Sequence, residues 1–335
     1  MRKSLLLIAS IALMLVVAAG CGSGGTDAKP GSAAPIKLGF SAWPGWFPWQ
    51  VAEEAGIFKQ AGVNVELVWF EGYLDSINAL AGGQLDANSQ TLNDTIASVA
   101  AGSEQVIVLV NDNSTGNDQI VASRDIKTIQ DLKGKKIGVE GGVVDHFLLL
   151  LGLQSVGLKA TDVQIVNLET GAAAASFASG QLDAVGVFAP FTTQALKREG
   201  SHTLFSSKQF PGSIPDHLVM SSKFVADHPA EVQKLVEAWF KTLDYIKANP
   251  DKAIDIMSKR AGVSKDEYKS YDAGTTLFSV ADNTKAFASG KDFTSLRFAA
   301  GEISKFLLDS GFTKTQPDLA KLLEPRFVKA YADKK

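Results

Sequence analysis

Six carboxylates and two tryptophans are the residues of this sequence whose types and placing suggest chemistry. Glu71, Asp94, Asp118, Glu140, Asp145 and Asp216 stand at or near the ends of short apolar runs, and Trp43 and Trp46 frame the turn-forming pair Pro44-Gly45. Basic residues avoid the same stretches: Lys59 is the only one between Lys37 and Arg124, and Lys159 the only one between Lys136 and Lys197. Such a composition selects a cation or a hydrogen-bond donor, because a buried anion needs Arg, Lys or free helix amides. Indole faces add stacking on a planar cation within ~6 Å. Guanidinium fits both features, since carboxylates match its fork of N–H donors and a buried cation without a partner is prohibitively costly. His146, beside Asp145, joins the set. The candidate ligand-binding residues are therefore Trp43, Trp46, Glu71, Asp94, Asp118, Glu140, Asp145, His146 and Asp216. Helix capping is the structural alternative for Asp94 and Asp145. No HExxH, CxxC, Gly-x-Ser-x-Gly or P-loop pattern occurs, so no catalytic residue, metal ligand or cofactor is expected.

These residues need elements to hold them. Short β-rich runs at 36–40, 63–70 and 85–89 alternate with helical patterns at 49–61 and 74–82, which argues for a parallel sheet covered by helices. The same order recurs at 136–140, 145–156, 163–169, 172–179 and 182–188. Gly39 pairs with Gly138, Glu71 with Glu169, and the run Gly-Gln-Leu-Asp-Ala at 83–87 with its copy at 180–184, at offsets of 99, 98 and 97 residues. A nearly constant offset across three elements implies two similar α/β units with a cleft between them. Asp86 and Asp183 are then repeated turn residues with a structural role. Ligands of open parallel sheets sit outside the carboxyl ends of the strands, which is where the candidate carboxylates and tryptophans fall. The helix expected at 230–248 carries Val232, Leu235, Val236, Trp239, Phe240, Leu243 and Ile246 on one stripe, so Trp239 is core.

The ends and the composition bound the rest. Arg2 and Lys3 precede an apolar run from Leu5 to Ala19 that closes on Ala18-Ala19-Gly20-Cys21, the pattern of a cleaved signal peptide. Cys21 is the only cysteine, which excludes an intrachain disulfide, and its position resembles the lipidated cysteine of bacterial lipoproteins. The expected organisation is a signal peptide at 1–20, a lipidated flexible tether at 21–35, a first lobe built from 36–121 and 220–335, and a second lobe from 122–219, with crossings near 120–124 and 217–222. Loss of Arg2 and Lys3 leaves 31 basic against 36 acidic residues, a formal charge of −5, unlike the clustered basic surface of a nucleic-acid-binding protein.

The segments WPGWFPWQVAEEAGIF, GGQLDAN, IQDLKGKKIGVE and ASGQLDAV, spread over nearly all the mature chain, resemble the nitrate, sulfonate and taurine type of ABC-importer solute-binding proteins. That resemblance implies the type II periplasmic-binding-protein fold, two α/β lobes joined by two crossing strands. It also implies an extracytoplasmic monomer in the cell envelope that captures a small solute and delivers it to an ABC permease with its ATPase. SAWPGW, VELVWFE, NDNSTGND and GGVVDHFLLLLGL are similar to the branch associated with urea-carboxylase-like gene clusters, which implies guanidine or urea as solute. Related sulfonate binders place Gly-Ser-Thr where this chain has Gly141-Gly142-Val143-Val144-Asp145, a departure that weakens nitrate, taurine and sulfonates as ligands. The alternatives left open are an anionic solute or thiamine-pyrimidine precursor in the same importer role, and a lipoprotein that senses its ligand. Thiamine-precursor synthases share the fold, but they lack the lipidated cysteine.

Overall fold

The computed structural model describes residues 34–334; the expected signal peptide, Cys21 and nearly all of the tether lie outside them. In chain order the strands are β1 (Ile36–Phe40), β2 (Val65–Trp69), β3 (Ala87–Thr91), β4 (Gln105–Ser114), β5 (Asp118–Ala122), β6 (Lys136–Val139), β7 (Gln164–Asn167), β8 (Ala184–Phe188), β9 (His202–Ser206), β10 (Pro215–Ser221) and β11 (Thr275–Leu277). They form two sheets, ordered β11-β4-β10-β3-β1-β2 and β7-β6-β8-β5-β9. In each, a parallel trio is followed by one antiparallel strand contributed from beyond the crossing: β10 beside β3, and β5 beside β8.

The internal repeat has a physical cause in both lobes. Asp86 Oδ2 accepts the backbone N–H of Lys37 at 2.9 Å, and Asp183 Oδ2 accepts that of Lys136 at 2.9 Å, so each turn aspartate fastens the start of the neighbouring strand. A Cβ on Gly39 would lie 2.4 Å from Leu85 Cδ1, and one on Gly138 2.5 Å from Leu182 Cδ1. The repeated Leu fills the space that each glycine leaves.

The helix Pro229–Ala248 returns to the first lobe, where Trp239 is wholly buried and packs 4.6 Å from the ring of Trp49, itself hydrogen-bonded to Ser89. Burial of large side chains of this kind supplies roughly 1.5–3 kcal/mol each. The polypeptide passes between the sheets at Thr115–Asn117 and again between Ser206 and Pro215, upstream of both expected crossings. Asp118–Ala122 belongs wholly to the second sheet and Pro215–Ser221 wholly to the first, because these apolar runs are interior strands and the joints are polar. Ser114 and Ser207 tie the two joints together through their hydroxyls at 2.7 Å. Among the described residues no helix is long and apolar enough to cross a membrane.

Candidate functional site

Sheet direction brings the chemistry together. Because β5 and β10 run antiparallel to their neighbours, their first residues lie at the carboxyl ends of the parallel strands: Asp118 is opposite Phe188 of β8, and Asp216 opposite Thr91 of β3. The loop after β1 adds Trp43 and Trp46, the helix Tyr73–Ala81 adds Tyr73, and the helix Val144–Ser155 adds Val144. These eight residues enclose a tightly closed cavity of about 10 Å³ between the lobes, room for about one water molecule.

Four rings form its apolar wall. Trp43 and Trp46 lie 6.5 Å apart, Trp46 is 5.3 Å from Tyr73, and Phe188 of the second lobe meets Trp43 and Tyr73 edge-on, each at 6.3 Å. Trp43 is held from behind, since its Nε1–H donates to Asp112 Oδ1 at 2.9 Å. The approach is close: a Cβ on Gly45 would fall 1.9 Å from Asp112 Oδ2. Trp46 Nε1 is buried and makes no hydrogen bond.

The polar wall is acidic. Asp94, Asp112, Asp118, Asp145 and Asp216 are each at most 2% exposed, and no Lys or Arg lines the cavity. Burial raises Asp118 to about 7, against a lowering hydrogen bond from Ser114. It raises Asp94 to about 7, opposed by hydrogen bonds from Thr91 and Tyr73, and Asp112 to about 8, opposed chiefly by the Trp43 N–H. Asp145 and Asp216 are pushed well above the usual carboxylate range, first by burial and then by neighbouring carboxylates, Asp118 for the former and Asp112 for the latter. Asp112 and Asp216 are direct cross-strand partners, so like charges would meet side by side and each carboxyl disfavours ionisation of the other. One oxygen each of Asp112, Asp118, Asp145 and Asp216 has no hydrogen-bond partner. A cluster so buried cannot ionise fully on its own; it holds protons or takes a cation.

The structure brings Trp43, Trp46, Asp118 and Asp216 of the candidates onto the cavity wall. Asp94 and Asp145 stand immediately behind it. Asp94 accepts from Thr91 Oγ1 at 2.6 Å and from Asn93 Nδ2 at 2.7 Å, while Asp145 accepts from Thr170 Oγ1 at 3.0 Å. Three candidates lie elsewhere. Glu71 is exposed and accepts the Trp69 indole N–H at 2.8 Å, so its side chain is drawn along β2 and away from the cavity. His146 is not on the cavity wall and packs half-buried against Phe312, with ring centroids 5.2 Å apart. Glu140 spends one oxygen on the Leu74 N–H at 3.0 Å and the other on Thr170 Oγ1 at 2.8 Å. Tyr73 and Phe188 stood in the loops expected to line the cleft but were not among the candidates. Asp112 lies in the stretch NDNSTGND, and a β-bulge hid it: Asp216 pairs with Asp112 and His217 with Val110, so Asn111 is an extra residue that turns Asp112 to the same side as Asp216. A larger groove of about 530 Å³, near Leu150, Gln154 and Phe306, carries its charges on exposed Lys159 and Asp309 and lacks this convergence. Among the described residues no group of three or more His, Cys, Asp or Glu is placed to hold a metal ion.

Residues 43–253 match the family described as NMT1/THI5 like. The chain belongs to that family. A Bacillus subtilis protein named for binding aliphatic sulfonates is 29% identical over 264 residues, covering 77% of this chain and 78% of that one. The periplasmic aliphatic sulphonate-binding protein SsuA from Escherichia coli has the same fold, with a TM-score of 0.72 at 21% identity over 87% of this chain and 92% of that one. The periplasmic nitrate-binding protein NrtA from Synechocystis has it too, with a TM-score of 0.73 at 13% identity over 90% and 88%. The two-sheet architecture of this NMT1/THI5-like protein is thus that of periplasmic binding proteins.

Proposed function

We propose that this chain is the extracytoplasmic, lipid-anchored binding subunit of an ABC importer and that its solute is a small planar N–H donor, the guanidinium cation first and neutral urea second. The coarser part rests on kinship: the chain is a solute-binding protein of the sulfonate, taurine and nitrate type and not an enzyme. Permease and ATPase subunits are the partners that such a role requires. One observation carries the choice of a cation, namely five buried aspartates around an aromatic cavity with no basic side chain on its wall. A planar cation stacks on Trp43 or Trp46 and offers N–H donors to the unpartnered oxygens of Asp118 and Asp216.

A second reading comes from the relatives, whose named solutes are anions. Carboxyls that hold protons near neutral pH can donate to an oxyanion. That reading makes binding tighten as the pH falls; the cation reading makes it tighten as the pH rises. Calorimetry with guanidinium chloride, urea, sodium nitrate and taurine at pH 6 and pH 8, at matched ionic strength, separates them. Tight taurine or nitrate binding that fades at pH 8, with no response to guanidinium, would overturn the cationic solute.

A further inference from the structure

We propose that Glu140 is a positioning residue that latches the two lobes together and seats Tyr73 in the cavity wall, capping the helix Tyr73–Ala81 from the opposite lobe. This inference rests on the binding role proposed above but not on the identity of the solute.

The first amides of a helix have no partner within it. In the helix Tyr73–Ala81 the N-cap is Gly72, which makes no side-chain cap. The missing acceptor comes from the other lobe: Glu140, directly after β6, takes the Leu74 N–H on Oε1 at 3.0 Å. A carboxylate at this end of a helix also meets the positive pole of its dipole. The arm that delivers it is stiff, because Oε2 is held by Thr170 Oγ1 at 2.8 Å and the residue is only 5% exposed. Thr170 Oγ1 stands 3.0 Å from Asp145 Oδ2 as well. A hydroxyl donates one hydrogen, so a proton on one of the two carboxyls completes the triad. The lobes meet in ordinary contact beside it, where a Cβ on Gly72 would lie 3.7 Å from Glu169 Cγ of the second lobe.

The amide that Glu140 holds follows Tyr73 in sequence. Tyr73 packs 5.3 Å from Trp46 and 6.3 Å from Phe188, and its hydroxyl accepts the Thr91 N–H at 2.9 Å. Glu140 itself is not on the cavity wall. One end of its hydrogen bond follows β6 of the second sheet and the other lies on the helix between β2 and β3 of the first, so the bond exists only while the lobes are together. Parting the lobes uncaps the helix and frees the first turn that carries Tyr73.

Stopped-flow intrinsic tryptophan fluorescence, to which Trp43 and Trp46 of the cavity contribute, with guanidinium chloride and urea as probes, tests the latch. Glu140→Ala is expected to raise the dissociation rate about tenfold or more, with the association rate within about twofold. Both probes are affected by the same factor, because the latch touches neither. Gly72→Ser supplies a cap within the same lobe, at a backbone of φ −92° and ψ 129° that any residue adopts. In that background the Glu140→Ala effect should shrink to less than half on a logarithmic scale. Glu140→Gln, which keeps an acceptor, should fall between the wild type and Glu140→Ala. A loss confined to guanidinium, or one that Gly72→Ser leaves undiminished, would mean a solute contact instead and would overturn the latch. Should the wild type bind neither probe, the solute reading fails and the latch is decided without it. Spin labels on Asn78→Cys and Ala175→Cys, at exposed positions of the two lobes and in a Cys21→Ser chain, report the interlobe distance. Glu140→Ala must then shift the distribution to longer distances, and an unchanged distribution overturns the proposal.

Discussion

Guanidinium binding should release close to one proton near pH 6.5 and strengthen as the pH rises. Asp118 borders the cavity with an unpartnered oxygen and is held near 7 by burial; Asp94, behind Thr91, is held at about 7, and Asp112 at about 8. At pH 6 all three are mostly protonated. A cation placed in the cavity stabilises their ionised forms, so the complex holds fewer protons than the free protein. By linkage, each proton displaced changes the observed binding constant about tenfold per pH unit below the free carboxyl's pKa. One proton from a group near 7 gives roughly a 100-fold tightening from pH 5 to pH 7, then a plateau above pH 8. Titration calorimetry in buffers of different ionisation enthalpy measures the proton count directly, as the slope of observed enthalpy against buffer enthalpy. Urea, which is neutral, should show a slope near zero. If guanidinium also shows no proton release, or proton uptake, the charged-cluster reasoning fails even where affinity is high.

The same groups set the stability of the free protein. Their folded pKa values are raised above the unfolded ones, so their contribution is fully present below about pH 4 and is lost as the pH rises through 7 to 8; the thermal midpoint should fall over that range and recover most with guanidinium at pH 8. Trp43→Ala should weaken guanidinium about tenfold or more by removing a desolvated cation–π contact, and urea less, as calorimetry would register. Asp118→Asn and Asp216→Asn keep hydrogen-bonding capacity but remove charge, so each should cost guanidinium more than urea in the same assay. Cys21→Ser should release the mature chain from the membrane fraction without altering solute affinity, and persistent membrane association would place the anchor elsewhere.

The architecture was legible in the sequence because it is written twice. Gly39 and Gly138 each make room for the repeated Leu, and Asp86 and Asp183 each fasten a strand, so one packing solution left the same letters in both halves. The crossings were less legible. Ile120–Ala122 and Leu218–Met220 are apolar enough to resemble connecting strands between lobes, yet each lies inside a sheet, and the joints are the polar stretches before them.

The site was legible in its sign of charge and only partly in its membership, for a reason that lies in how it is assembled. Asp118 and Asp216 are about a hundred residues apart and meet because each lobe borrows an antiparallel strand whose first residue lands at the carboxyl end of the other strands. Loop position alone could suggest that. It could not separate Glu71, whose carboxylate is taken by a neighbouring indole, or Glu140, whose carboxylate reaches a helix in the opposite lobe, from the aspartates that face the cavity. Nor could alternation along β4 reveal Asp112, because the bulge at Asn111 reverses the side on which it emerges. The residue thus hidden holds the indole of Trp43 and meets Asp216. Asp112→Asn is therefore expected to separate two effects: a hydrogen-bond acceptor remains for the indole, while the titrating carboxyl beside Asp216 is gone. Urea affinity should stay nearly level and the pH dependence of guanidinium binding should flatten, an outcome that a role confined to packing would not produce.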